Sequence, residues 1–478
     1  MTEQYSDHRP PTSDLDRQAG LADLARAVTG SVHTPGDAGY AAGVTGFNLR
    51  SGHEPLAVVA AADSSDVRLA VQFAATHGIP VGVVSTGHQP FPRQKGFLLI
   101  TTGALRSVKI DAERAVARVG AGVRWAEVVA PAHEVGLAPL SGSAPHVGVV
   151  GYTLGGGLSP VLGRSHGWAA DHLLSVELVT PDGVLRRVSA DAEPELFAGL
   201  RGGRSNFGVV TELEFKLFPV TSFYGGGLYY PAENVAAVLD AYAQVVQDVP
   251  DEFTVSVALL NLPPLPEIPE VFRGKFLAHV RITHTGTDEA AEKLIAPFRA
   301  LGAPLVDTVG RHPFSAYPGV HADPTEAAPY EEQSVLLTAL PHEAVAHVLD
   351  RVGPESGSPV GVLEIRQLGG ALTGPRASAA VPALTRDAEF IVWGATVGPP
   401  EVVAAGEADL RSLLTDLDKW ATGGKYQNFT GREDVAADLF TAAELDRLRE
   451  LKRRYDPRNL FRVNNHTVAP EHGAGTGD

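Results

Sequence analysis

Two stretches of this chain combine residue types and spacing that suit chemistry. Residues 81–84 (V-G-V-V) read as a short buried strand. Ser85-Thr86-Gly87-His88-Gln89-Pro90 follows, a small-residue turn that delivers a histidine at the strand's carboxyl end. Loops in that position are where α/β folds bind ligands. The second stretch spans residues 141–163, S-G-S-A-P-H-V-G-V-V-G-Y-T-L-G-G-G-L-S-P-V-L-G. Its glycines (Gly142, Gly148, Gly151, Gly155, Gly156, Gly157 and Gly163) suit backbone that bends tightly and lies against something large and flat.

Other chemical patterns fail on their surroundings. Gly163-Arg164-Ser165-His166-Gly167 matches G-x-S-x-G, but a hydrolase elbow needs a buried strand directly before it, and G-G-G-L-S-P-V-L is none. His342 and His347 resemble a zinc pair, yet on a helix that spacing turns the side chains apart by about 140°. We expect no metal site. There is no Walker A motif, and no G-x-G-x-x-G between a strand and a helix. Cysteine is absent, which removes disulfides, thiolate ligands and cysteine nucleophiles. A formal net charge of −17 argues against nucleic acid and anionic membranes as partners. No apolar run approaches the ~18 residues of a membrane span, and the polar N-terminus carries no secretory pattern. The expected compartment is the cytoplasm.

The elements that must position these stretches can be read in order. Residues 58–62 form a strand, Asp63–Ser65 cap a helix, and Val67, Ala70, Val71 and Ala74 recur at helical spacing until Gly78. The strand at 81–84 closes this β-α-β unit. Short strands follow at 97–101, 108–110 and 115–119, then a helix over 125–135. A hairpin joins 172–180 to 184–188, and residues 209–217 alternate as a strand. Beyond Pro219 the texture changes. Strands at 228–230, 254–260, 276–283, 361–368 and 389–396 alternate with helices at 234–246, 288–301, 342–352 and 402–417. That pattern predicts a separate α+β domain, a sheet covered by helices. Residues 262–269 read as a proline-rich surface loop. The last helix starts at a capping box of Thr441 and Glu444 and stops at Tyr455-Asp456-Pro457.

Eight ordered pieces resemble one family. Residues 83–90 resemble the flavin-pyrophosphate loop of the vanillyl-alcohol-oxidase superfamily. Residues 141–157, Ala169-Ala170-Asp171-His172, residues 179–183, residues 193–197 and the run 200–211 follow the order of its second flavin subdomain. Tyr426-Gln427-Asn428-Phe429 and residues 455–461 look like the C-terminal segment of its berberine-bridge-enzyme-like branch. The resemblance covers roughly residues 50–217 and 425–466.

The resemblance implies an α+β architecture. A disordered N-terminus (1–20) precedes an FAD-binding domain of two α+β subdomains (21–218). A substrate domain with an antiparallel sheet follows (219–424). A segment then returns to the FAD domain (425–467), ahead of a disordered tail (468–478). It implies FAD contacts at Ser85, Thr86, Gly87, His88, Gln89, Pro90, Gly142, Ser143, Pro145, Val147, Gly148, Gly151, Tyr152, Gly155 and Gly156. Further contacts are implied at Asn206, Gly208, Val209, Val210, Tyr426 and Asn428. His88 matches the histidine that bonds to the flavin 8α-methyl. Ala144 stands where many relatives place a second, cysteinyl link, so the expected attachment is monocovalent. Gln89 and Tyr152 depart from the commoner pattern. Tyr426 is the implied base, with Arg366 and Gln367 as candidates to approach from the substrate sheet. The implied activity is an FAD-dependent oxidoreductase, an oxidase using O2 on a small organic molecule such as an alcohol, phenol, sugar or natural-product intermediate. A non-redox cyclase that keeps the flavin, or a binding protein with a degenerate pocket, are the alternatives.

Overall fold

The computed structural model describes residues 14–50, 52–89, 92–376 and 379–470. Three sheets carry the chain. In the first, strands run in the order Ser31–His33, Ala57–Ala60, Leu98–Thr101, Val81–Val84, and the last three are parallel. The β-α-β reading therefore holds, with Leu98–Thr101 inserted between its two strands. The connecting helix Ser64–His77 begins where Asp63 accepts hydrogen bonds from the amides of Ser65 and Asp66 (2.8 and 3.0 Å), and it ends at Gly78 in the left-handed region. Val67, Ala70, Val71 and Ala74 are fully buried against the sheet.

The second sheet is antiparallel, in the order Val108–Asp111, Val116–Gly120, Val209–Lys216, Leu173–Val179, Leu185–Ser189. The third has eight strands. Seven lie in the order Val306–Asp307, Ser222–Pro231, Phe276–His284, Phe253–Asn261, Val362–Gln367, Phe390–Val397, Tyr330–Leu337, and Gly310–Pro313 also pairs with Ser222–Pro231. Alternation sorts this sheet into two faces. Val255, Val257, Val280, Ile282, Leu363 and Ile365 join the largest apolar core, under the helices Val235–Val245, Asp288–Arg299, His342–Val352 and Pro400–Leu417. The opposite face carries Thr254, Ser256, Arg281, Thr283, Glu364 and Arg366, all buried, and turns toward the glycine-rich stretch. There Thr283 donates to the carbonyl of Pro160 at 2.7 Å.

The structure departs from the sequence reading at several places. Helix Asp14–Ala27 begins inside the segment expected to be disordered, with Leu24 buried against the first sheet. At the other end Val468 is buried, and its amide donates to Asn206 at 2.9 Å. Residues 1–13 and 471–478 lie outside the described residues. Strand Tyr330–Leu337 was not read. Its Glu331-Glu332-Gln333 start hides the alternation, because Glu331 and Glu332 are both buried. The G-x-S-x-G segment forms a short helix, Gly163–His166, and clamps the two halves together. Arg164 is buried and donates from Nε to the carbonyl of Phe253 (2.8 Å), and from its terminal nitrogens to Leu368 and Val249. Ser165 donates to Asp251 O at 3.0 Å, which leaves it no nucleophile's role.

A second clamp holds the C-terminal segment. Lys452, on helix Ala442–Tyr455, is fully buried. Its ammonium donates to Asn206 O (2.7 Å), Asp456 Oδ2 (2.8 Å) and Phe461 O (3.0 Å). Asp456 also accepts the amides of Leu460 and Phe461 (2.8 and 2.9 Å). From there the chain reaches the first sheet, where Val81 donates to Leu460 O at 2.9 Å. Asp456→Ala leaves the ammonium buried without its counter-charge. We expect a loss of about 3–5 kcal/mol in chemical denaturation. A loss under ~1 kcal/mol would show that water reaches Lys452.

Candidate active site

His88 is packed rather than solvated. Its ring stacks on Phe47 (centroids 4.2 Å, planes 12° apart), and His146 of the glycine-rich stretch lies 4.9 Å away. His88 Nδ1 sits 2.8 Å from Thr86 Oγ1, while Nε2 is buried with no hydrogen-bond partner among the described residues. The loop is pinned from outside. Phe47 and Asn48 donate their amides to Thr86 O and Gly87 O (2.9 and 3.0 Å), and Tyr330 donates its hydroxyl to His88 O. Gly87 has φ +67° and lies so close to Gly46 that a Cβ on either would collide with the other's backbone. Burial, with His146 and Arg124 nearby, pushes the His88 pKa down to about 3. The side chain is therefore a neutral imidazole with one free ring nitrogen.

The glycine-rich wall packs against this loop. Gly148 caps helix Val149–Leu154, and a Cβ there would press on Thr86. The carbonyls of Pro145 and Val147 accept the amides of Ala126 and Trp125 (2.9 and 3.1 Å) at the start of helix Trp125–Glu134. Tyr152 donates to Leu140 O at 3.0 Å and packs edge-on to Trp125. A Cβ on Gly142 would meet the Tyr152 ring at 2.9 Å, whereas one on Gly151 would meet nothing within 4 Å. Ser85 donates to Ala121 O at 2.9 Å.

Tyr426 closes the wall from the C-terminal segment. Its hydroxyl oxygen accepts from Leu158 N (3.0 Å) and Asn428 Nδ2 (3.1 Å). Burial pushes its pKa up to about 12, although both hydrogen bonds and the cations of Arg204 and Arg366 favour the phenolate. Its oxygen has accepted twice, so the phenol hydrogen remains to be donated. Arg366 lies 5.5 Å over Phe429, whose ring is edge-on to Tyr426 at 5.1 Å. Gln367 lies on the opposite face of the strand and donates to Val246 O at 2.9 Å, under the helix layer. Its candidacy is withdrawn.

Several residues expected to contact FAD have structural partners. Asn206 donates to Gly203 O and His466 O (both 2.9 Å) and accepts from Val468, so its amide ties the C-terminal segment down. Val209 and Val210 bury their side chains in two apolar cores. Gly208 approaches the backbone of Val179 too closely for a Cβ. Pro90 lies outside the described residues.

Arg204 went unread. It breaks a small-residue loop with φ +49°, a strained value for a residue with a Cβ. The buried guanidinium donates to Gln89 Oε1 (2.6 Å) and to Asn428 Oδ1, with its head against Gly155. It thus joins three of the expected contact residues. Phe47 and His146 were also missed. The one available signal was Arg204 itself, a charged residue standing among glycines.

The fit to a flavin rests on these atoms. The His88 side offers a buried, neutral, unpartnered imidazole nitrogen, which suits histidyl attachment. Arg204 bridges Gln89, the residue after His88, to Asn428.

Comparison with known proteins points to FAD-linked oxidoreductases. Residues 55–189 match the family model of the FAD binding domain, and residues 426–466 match that of berberine and berberine-like proteins. The chain is 29% identical over 471 residues to (R)-6-hydroxynicotine oxidase of Paenarthrobacter nicotinovorans, covering 93% of this chain and 98% of that protein. It is 26% identical over 461 residues to chitooligosaccharide oxidase of Gibberella zeae, covering 89% and 90%. Among solved structures, 6-hydroxy-D-nicotine oxidase from Arthrobacter nicotinovorans superposes with TM-score 0.78 at 26% identity, covering 93% of this chain and 99% of that one. Among the described residues no helix is long and apolar enough to cross a membrane, and no group of histidine or acidic side chains could hold a metal.

Burial depresses the pKa of His53 to about 4 and of His88 to about 3, and lowers His279 and His466 as well. In the unfolded chain these groups titrate near ~6.5. Their contribution is present above that value and is lost as pH falls toward the folded pKa. We expect Tm to fall steadily from pH 7 to pH 4. His88→Asn should flatten part of that fall, and an unchanged profile would show that His88 is accessible to protons.

Proposed function

We propose that this chain, a member of the berberine-bridge-enzyme-like FAD-linked oxidoreductases, oxidises a small organic molecule at a C–H bond beside oxygen or nitrogen, with FAD attached through His88. The observation that carries the attachment is the free Nε2 of a buried, neutral His88. The chain has no cysteine to form a second link, so the attachment would be monocovalent. Residues 85–89, Gly142, Ser143 and Gly151 would hold the cofactor alongside it. Bound FAD supplies the hydride acceptor, and O2 is the final oxidant, giving H2O2.

The chain's own part is proton management and exclusion of water. Tyr426 takes the proton from the substrate's hydroxyl or phenol as the C–H bond breaks. Its phenolate is favoured by the hydrogen bonds from Leu158 N and Asn428 and by the charges of Arg204 and Arg366. Burial opposes it, so the reactive fraction is small near neutrality and grows tenfold per pH unit below the pKa. Suitable substrates share an alcohol, phenol, sugar or amine carbon. The nicotine-derived and oligosaccharide substrates in the relatives' names both fit that description.

A second reading is a non-redox cyclase. One observation favours it: Arg204 ties Gln89 to Asn428 across the expected cofactor wall. A substrate that bleaches the flavin absorbance decides for oxidation; turnover without bleaching decides for the cyclase.

Two outcomes check the main reading. Acid-precipitated protein should be yellow, and His88→Ala should release the colour into the supernatant; colour lost from wild type would end the covalent claim. Log kcat/KM should rise with a slope near +1 between pH 7 and 10. Tyr426→Phe should lower it by about 10²–10⁴-fold and remove the slope. A flat wild-type profile would take the base role from Tyr426.

A further inference from the structure

The inner face of the substrate sheet holds a buried cluster whose charges do not cancel. Glu364 is its only ionised carboxylate. Oε1 accepts from Ser256 (2.6 Å) and Arg366 Nε (3.2 Å), and Oε2 from Arg366 Nη2 (2.8 Å) and Arg281 Nη1 (3.0 Å). Two guanidiniums therefore share one carboxylate. Burial opposes its charge, but Arg366 and Arg281 hold Glu364 well below the usual carboxylate range. The histidines beside it add no further charge, because burial and Arg281 depress both His279 and His321. Glu332 on the same face accepts from Trp393 Nε1 at 2.7 Å, and burial pushes its pKa up to about 8, which favours the neutral acid near pH 7. Half-buried Asp323 acts on Arg366 from a distance and makes no ion pair among the described residues.

Two buried guanidiniums therefore have one carboxylate in contact and a second, Asp323, only at a distance, so their positive charge is answered in part. A cavity of about 10 Å³ opens where the answer would sit. Arg281, Arg366, Thr254 and His321 line it, with Pro160 of the glycine-rich stretch opposite. That volume takes about one oxygen atom. Two buried polar atoms at its wall, Thr254 Oγ1 and His321 Nδ1, have no hydrogen-bond partner among the described residues; Thr254 is 8% exposed and His321 5%. Arg366 connects the cavity to the Phe429–Tyr426 pair.

We propose that the substrate carries a carboxylate, one oxygen of which enters this cavity, accepts from Thr254 and the Arg281–Arg366 pair, and so orients the substrate against Tyr426. No bond is made or broken there. The assignment of the anion to the substrate rests on the oxidase reading above; the anion site itself does not.

The test is calorimetric titration of the full holoprotein with benzoate and with its neutral isostere benzamide at fixed ionic strength. Benzoate should bind at least about tenfold more tightly, as a charge-assisted contact requires. Thr254→Val, which keeps shape and fold, should weaken benzoate by about tenfold and leave benzamide unchanged. Arg281→Met should abolish the preference. Equal binding of the two probes, no heat from benzoate at millimolar concentration, or a Thr254→Val variant that binds like wild type would each overturn the proposal. A yellow protein that a substrate bleaches but benzoate ignores sinks the anion site alone. Benzoate binding by a protein that no substrate bleaches sinks the oxidase reading alone.

Discussion

One buried ammonium organises the cofactor half of the molecule. Lys452 reaches three acceptors that belong to different parts of the chain: the loop at Asn206, its own helix end at Asp456, and the returning strand segment at Phe461. An ammonium stripped of water is tolerated only when every proton finds an oxygen. Here all three do. That requirement fixes where the C-terminal helix ends, and with it where Leu460 and Val463 meet the first sheet. Tyr426 and Asn428 ride on the same returning segment. Their position opposite His88 therefore depends on a charge well away from either.

The two walls of the site differ in how they use polarity. On the His88 side, aromatic stacking and backbone hydrogen bonds position the side chain and leave its Nε2 free. On the Tyr426 side the Tyr426 hydroxyl, Asn428 and Gln89 are all hydrogen-bonded, and Arg204 joins the last two. The first wall is built to offer an atom. The second is built to hold a field, since two buried guanidiniums act on one phenol. Across the interface the substrate sheet repeats the second design around Glu364.

Local signals in the chain were legible wherever one element could be judged alone. The strand at 81–84, the helix at 342–352 and the capping box at Thr441 appear as read, because period and caps are local properties. His88 was legible from its place at a strand end. Tyr426 came from motif resemblance rather than from any periodicity. What escaped depended on partners far off in sequence. Gln367 and Arg366 are adjacent, and nothing in their own strand says which face meets the site. The strand at 330–337 was hidden because Glu331 and Glu332 look like surface residues until Arg50, Arg432 and Trp393 are brought to them. Arg204 looked like a loop residue because its acceptors lie more than a hundred positions away. Helix Asp14–Ala27 has too weak an apolar stripe to announce itself, and only Leu24 and its neighbours meeting the first sheet give it a place.

The Arg164 clamp has a further consequence. Its guanidinium grips main-chain carbonyls at Phe253, Val249 and Leu368, and Ser165 grips another at Asp251. Carbonyls are the same whatever side chain a residue bears. The part of the register that these bonds set is therefore indifferent to the identity of the side chains at the accepting residues, unlike the Thr283–Pro160 bond. Thr254, Ser256, Arg281 and Arg366 can be exchanged by drift or by selection while the sheet stays docked over the same catalytic wall. Such a joint lets new substrates be explored in evolution without dismantling the machinery that oxidises them.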